Sequence, residues 1–195
     1  MQPDLFAPTS EPHIAIRADI LDAAEEATLI AAIDATGPTP FRFQGWLGKR
    51  LTTSFGWSYD FDRGTMVRGV SMPAFLLPVR DRAAAFAGLE PDALEQALLI
   101  RYDPGAGIGW HRDRPIFDHV IGISLGVPAV MRFRRRRDER FDRADALLAP
   151  RSVYHLAHEA RHAWEHSIAA MDETRWSITF RSLSAGVRGA ATAAR

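Results

Sequence analysis

The stretch Gly109-Trp110-His111-Arg112-Asp113 decides how this chain is read. It carries His-x-Asp between two apolar, β-branched runs, 98–102 and 120–125, punctuated by Pro104-Gly105 and Gly122. In an extended chain residues i and i+2 point to the same face, so His111 and Asp113 can both reach one metal ion. A histidine well downstream, His166, would complete two imidazoles and one carboxylate. That donor set holds Fe(II) on three adjacent positions and leaves the remaining ones open. A His-x-Asp pair by itself is unspecific, so the reading depends on what surrounds it.

Residues 150–168 hold four histidines, His155, His158, His162 and His166. Their i, i+3 and i+4 spacing would also suit a zinc-binding helix. The segments Ser152-Val153-Tyr154-His155-Leu156 and Trp164-Glu165-His166-Ser167-Ile168 look more like two strands joined by a turn. Only His166 stands beside an aromatic and β-branched run, as a ligand on a buried strand would. The other three read as polar surface, and loss of His166 without loss of activity would return the third ligand to one of them.

The stretch Arg175-Trp176-Ser177-Ile178-Thr179-Phe180-Arg181 alternates without a fault. One face is Arg, Ser, Thr, Arg and the other is Trp, Ile, Phe. The apolar face packs on a core. The polar face is either the wet side of an antiparallel strand or a pair of anchors for a dicarboxylate, since guanidinium pairs with carboxylate bidentately.

Upstream, residues 1–12 carry Pro3, Pro8 and Pro12 and read as a loose leader, and 13–21 holds a short strand. Asp22 and Glu25 form a capping box ahead of a helical stripe of Leu29, Ile30 and Ile33, which Gly37-Pro38 stops. From 41 to 70 aromatics and glycines crowd together. This is either a twisted sheet with large cross-strand pairs or a surface that stacks flat groups such as nucleobases. A helix is expected over 73–86, kinked or divided at Pro78. Residues 131–143 contain seven arginines against Asp138, Glu139 and Asp142. That run is a solvated hairpin or, over 132–137, an edge that contacts phosphates. After Ser184 a Gly- and Ala-rich tail, 185–195, is expected to fray.

The chain of 195 residues suits one domain, placed at 13–184. No apolar run is long enough for a membrane span, and no secretory signal is legible. With no cysteine there are no thiolate ligands, which fits a cytoplasmic location. A transition metal must then sit on His, Asp or Glu. The formal net charge of zero speaks against simply assuming a nucleic-acid partner. No obligate protein partner is evident.

Together, His111-x-Asp113, His166 and Arg175-x5-Arg181 resemble the AlkB family of Fe(II)- and 2-oxoglutarate-dependent dioxygenases. The likeness extends to Arg101-Tyr102-Asp103-Pro104-Gly105-Ala106 and to Ile123-Ser124-Leu125-Gly126, covering roughly 95–183. The resemblance implies an α+β, mainly β fold, a double-stranded β-helix of jelly-roll type with the N-terminal helices packed outside. It implies Fe(II), 2-oxoglutarate and O2, with iron on His111, Asp113 and His166. Tyr102 and Arg181 would hold the distal carboxylate of 2-oxoglutarate, and Arg175 would sit near the proximal carboxylate or Asp113. In Gly56-Trp57-x-Tyr59, Trp57 would be the lid aromatic against the substrate base, with Tyr59 beside it and 41–70 as the lid.

Three positions depart from the family pattern. Ile100 stands where many members have Asn, Ser177 where bacterial repair enzymes often have Asn, and Pro115 replaces an acidic residue that touches the base edge. The expected activity is oxidative demethylation of alkylated nucleobases in DNA or RNA, as in alkylation damage repair. The alternatives are the same oxygenase chemistry on a protein side chain or small molecule, and a non-catalytic, metal-holding β-barrel that binds a partner.

Overall fold

A computed structural model describes residues 11–43, 46–60 and 65–187 of the chain. Among them the elements follow in the order β1 (Ala15–Arg17), α1 (Ala23–Ala35), β2 (Thr39–Phe43), β3 (Trp46–Asp60), β4 (Thr65–Arg68), α2 (Leu77–Ala87), β5 (Leu94–Tyr102) and β6 (Ile108–His111). Then come β7 (Phe117–Gly126), β8 (Ala129–Arg137), β9 (Arg140–Leu148), β10 (Val153–Leu156), α3 (His158–His162), β11 (Glu165–Ile168) and β12 (Arg175–Leu183). The strands form two antiparallel sheets. The larger runs β1-β10-β7-β12-β5-β3-β2 with β4 on β3, and the smaller runs β6-β11-β8-β9. The expected jelly-roll type of fold is what the two sheets make.

Strand alternation sorts the larger sheet into two faces. Ala97 and Leu99 of β5, Ile121, Ile123 and Leu125 of β7, and Ile178 and Phe180 of β12 are buried with Leu29, Ile33, Val79 and Ala83 of the two long helices. Fully burying one such side chain contributes about 1.5–3 kcal/mol, so this layer fixes α1 and α2 outside the barrel, as expected. The opposite face, with Val120 and Leu156, looks inward, toward Met131, Phe133 and Ile168 of the smaller sheet. Gly122 lies on that inner face of β7. A Cβ there would come within 2.3 Å of the Tyr154 ring, so glycine is what lets Tyr154 cross the interior.

The capping box of α1 is present, with Glu25 N–H donating to Asp22 Oδ1 at 2.8 Å and Asp22 N–H to Glu25 Oε2 at 2.9 Å. The chain turns after it at Gly37, whose φ is +64°. Pro78 neither kinks nor divides a helix. A short 3-10 turn (Ala74–Leu76) leads into α2, and Pro78 falls in its first turn, where an absent N–H removes no intrahelical bond. Between β10 and β11 the expected simple turn is the short helix α3.

Residues 41–70 form the β2, β3 and β4 edge of the larger sheet. Gly56 marks its bend. Its φ is +77°, and a Cβ would meet the Glu95 carbonyl at 2.1 Å. Residues 44–45 and 61–64 of the expected lid lie outside the described residues, as do 1–10 of the leader and 188–195 of the tail. Residues 185–187 form a helical turn.

Candidate active site

His111 ends β6, and Asp113 lies two residues beyond it, already off the strand. His166 of β11 stands directly opposite His111 in the ladder, and the two rings are 4.3 Å apart. Ligand atoms of His111, Asp113 and His166 all lie within 4.8 Å of one another, the one such group of three among the described residues. The expected triad is therefore brought together by cross-strand register. His111 Nδ1 is 2.9 Å from the Gly109 carbonyl. Donating a proton there leaves Nε2 as the ring's lone-pair nitrogen, the usual outer support of a metal-bound imidazole.

The electrostatics prepare the three groups for a cation. Burial pushes the Asp113 carboxyl up, but the Arg181 guanidinium, with His166, His111 and Arg161, overcomes it and holds the group well below the usual carboxylate range. Burial, reinforced by His111, pushes the His166 imidazole down to about 3, and burial likewise lowers His111. At neutral pH the set is two neutral imidazoles and a carboxylate, the protonation states that ligate.

The two arginines of β12 have the reverse of the expected surroundings. The resemblance groups Arg181 with Tyr102 and puts Arg175 near the proximal carboxylate or Asp113. Instead Arg181 donates to Asp113 Oδ1 from Nε at 2.9 Å and lies 2.8 Å from it through Nη2, while its Nη1 donates to Gln96 Oε1 at 2.9 Å. Two of its nitrogens are thus turned to Asp113 and the third to Gln96. Arg175 is opposite Tyr102 in the ladder, with its guanidinium 5.4 Å from that ring. Only 1% of it is exposed. It donates to Ser124 Oγ through Nη2 at 3.0 Å, but its buried Nη1 has no hydrogen-bond partner. A buried unmatched donor costs about 1–3 kcal/mol, and a carboxylate would satisfy it. The residues thus fit both groups: iron on the triad, and one carboxylate of 2-oxoglutarate on Arg175 beside Tyr102.

A cavity of about 950 Å³ joins these parts. Its lining includes Ile100, Ser177 and Pro115, the three departures from the family pattern. It also includes Arg50, Arg112, Arg114, Arg161, Arg175 and Arg181, with Asp113 as the one carboxylate. Buried Tyr154 completes the wall, its hydroxyl pushed up to about 12 by burial and so protonated at neutral pH.

Trp57 does not line the cavity. It pairs with Arg68 in the β3–β4 ladder, past the bend at Gly56. Tyr59 pairs through its backbone with Met66, and its side chain lies outside the described residues. Among the described side chains, the aromatic that β2 and β3 do contribute is Phe41, over which the Arg50 guanidinium lies 4.2 Å from the ring centroid. Arg50 was not anticipated. Its signal was there, since Arg50, Thr52 and Ser54 alternate on the cavity face of β3, as the polar residues of β12 do. Arg161 was also missed. It is buried and donates to the Phe117 carbonyl at 2.8 Å. The remaining histidines stand apart from the metal group. His155 Nε2 is 2.9 Å from His119 Nδ1, and His162 Nε2 is 3.3 Å from Asp118.

The family model for the 2OG-Fe(II) oxygenase superfamily matches residues 19–181. The chain is 29% identical over 185 residues to the alkylated DNA repair protein ALKBH8 homolog of Arabidopsis thaliana, covering 80% of this chain and 51% of that protein. It is 43% identical over 54 residues to the alpha-ketoglutarate-dependent dioxygenase AlkB of Salmonella typhimurium, covering 26% of this chain and 24% of that one. It spans about half the length or less of these curated relatives. The solved structure of OsALKBH1 shares the fold, with a TM-score of 0.70 at 15% identity over 88% of this chain and 97% of that one.

Proposed function

Because the chain belongs to the 2OG-Fe(II) oxygenase superfamily, in its AlkB family, we propose that it removes alkyl groups oxidatively from nucleobases of DNA or RNA. It is a dioxygenase whose cofactors are Fe(II), 2-oxoglutarate and O2. When bound, these supply the oxidation of a C–H bond, with 2-oxoglutarate released as succinate and carbon dioxide. On an N-methyl group the hydroxylated product collapses to formaldehyde and the free base.

The protein's own residues do the positioning. His111, Asp113 and His166 would hold the metal. Arg181 and Gln96 keep Asp113 aimed, and Arg175 with Tyr102 offers the buried end for a carboxylate.

The substrate reading is carried by the charge of the cavity. The chain is formally neutral, but the lining gathers six arginines around one carboxylate. A ferrous ion and a 2-oxoglutarate dianion nearly cancel, so the surplus of positive charge outlasts both. That surplus suits a phosphodiester chain and repels a cationic protein side chain. Substrate identity is supported further by the alkylated DNA repair name of the Arabidopsis relative.

The test is succinate release from 2-oxoglutarate with iron and ascorbate, with and without N-methylated oligonucleotides, and mass analysis of the oligonucleotide. Stimulation together with loss of the methyl group is expected. Succinate release that no methylated DNA or RNA stimulates would turn the assignment to a small molecule or protein substrate.

A further inference from the structure

Cations and aromatic rings alternate in a row across the outer face of the smaller sheet. In β8, Met131 and Phe133 point into the interior core, so Arg132, Arg134 and Arg136 point outward. β9 sets Asp145, Arg143 and Phe141 opposite these three, and Leu147 opposite Val130. Arg132 lies 5.4 Å from the centroid of Trp110, which belongs to β6. Arg134 lies between two rings, 4.5 Å from Trp110 and 5.0 Å from Phe141. Arg143 follows at 5.7 Å from Phe141.

Charge in the row exceeds what the fold neutralises. Arg134 is held by Glu165 at 2.6 Å. No carboxylate among the described residues makes an ion pair with Arg132, Arg136 or Arg143. Arg134 and Arg143 are direct cross-strand partners, and like charges so placed destabilise a sheet. The same face leaves Phe141 38% exposed, Val130 46% and Leu147 62%. Cations held on flat rings, with apolar bodies left in solvent, match a partner that carries both phosphates and flat bases. The row is also continuous with the cavity, because Trp110 heads it, lines the cavity and precedes the metal ligand His111.

We propose that this outer face holds the single nucleic-acid strand on either side of the target base. The phosphates would lie on Arg132, Arg136 and Arg143, and neighbouring bases against Phe141, Val130 and Leu147. The proposal rests on the nucleobase reading of the cavity and extends it to the flanking strand. It favours a single strand because the rings can be covered only by unpaired bases.

The test uses the full chain carrying R132Q, R136Q and R143Q together, none of them in the cavity. Binding of an unmethylated single strand of about a dozen nucleotides is followed by fluorescence anisotropy at several salt concentrations. Turnover is compared on a methylated strand of that length and on a methylated trinucleotide. In single strands each neutralised phosphate contributes about 0.7 to the slope of log affinity against log salt. The triple variant should therefore bind with a slope shallower by about two. It should lose turnover on the long strand and keep it on the trinucleotide, with a melting temperature that does not fall, since R143Q relieves the like-charge pair with Arg134. An unchanged slope, or equal loss on both lengths, would overturn the proposal and leave the face to another partner, such as an acidic protein. Strand binding needs no turnover. Wild-type binding without demethylation would sink the cavity reading alone, and absence of salt-dependent strand binding by the wild-type protein would sink this one.

Discussion

The two ends of β12 carry the same side chain in opposite situations. At one end Arg181 makes three polar contacts, two of them to the ligand Asp113. At the other, Arg175 is more deeply buried yet keeps Nη1 without a partner. Every nitrogen of one guanidinium has a partner within the protein, while the other keeps one nitrogen that an anion would satisfy. The difference teaches that a buried cation is read by what it still lacks. On that basis Arg181 would support the metal through Asp113, and Arg175 would be the cosubstrate contact.

The largest effect should come from the metal end. His111→Ala, Asp113→Ala or His166→Ala should each abolish iron binding, measured calorimetrically, and turnover with it, because a three-ligand site has none to spare. Full activity of His166→Ala would break the comparison at its base.

Lysine at the two arginines sharpens it. Arg175→Lys keeps a charge but loses the fork. It should raise the KM for 2-oxoglutarate roughly tenfold to a hundredfold, the equivalent of a charge-assisted hydrogen bond of about 1.5–3 kcal/mol. Arg181→Lys should instead weaken iron binding by about 10–100-fold, as loss of a ligand's outer partner does, with a smaller change in that KM. The reverse pattern would restore the grouping of Arg181 with Tyr102.

A third arginine tests whether an unmatched donor always means the cosubstrate. Arg50 Nε is buried without a partner among the described residues, but Arg50 belongs to β3, two strands from β12, and lies over Phe41 of β2 while still feeling Tyr102, Asp113 and Arg181. Arg50→Met should leave the KM for 2-oxoglutarate unchanged and raise that for a methylated oligonucleotide by up to about tenfold. Removing an unmatched buried donor should also raise the melting temperature by about 2–4 °C per kcal/mol regained. A raised KM for 2-oxoglutarate would join Arg50 to Arg175.

The smallest contrast concerns the aromatics of the same edge. Phe41→Ala should weaken oligonucleotide turnover, because Phe41 lines the cavity and carries Arg50. Trp57→Ala should change it less, as seen in the KM for the oligonucleotide. A larger loss at Trp57 would mean that the β3–β4 hairpin folds over the substrate as a lid.

Much of this was legible in the residues. The capping box at Asp22 and Glu25, the fault-free alternation of 175–181 and the His-x-Asp motif are all local patterns. The helix Pro78 was expected to break is intact because a proline's effect depends on its position within the helix, and the sequence did not mark where that helix begins. Arg50, Thr52 and Ser54 are less legible, because they alternate among aromatics and glycines whose pattern fits a stacking surface as well as a cavity wall.

The sequence by itself determined which residues share a face, since a strand's side chains alternate with a fixed period of two. That was enough to put Arg175 and Arg181 on one polar face, while the metal triad as a set came from the resemblance of the motifs and their order. Which of the two meets Asp113 was decided only by the tertiary structure. Alternation fixes a face but not the offset between strands, and the partners of β12 come from β5, β7 and the segment after β6. The same holds for the arginines of the cavity and for the row from Arg132 to Arg143. Each is a neighbourhood assembled from strands distant in the chain, and register, not composition, turns a formally neutral sequence into a cationic site.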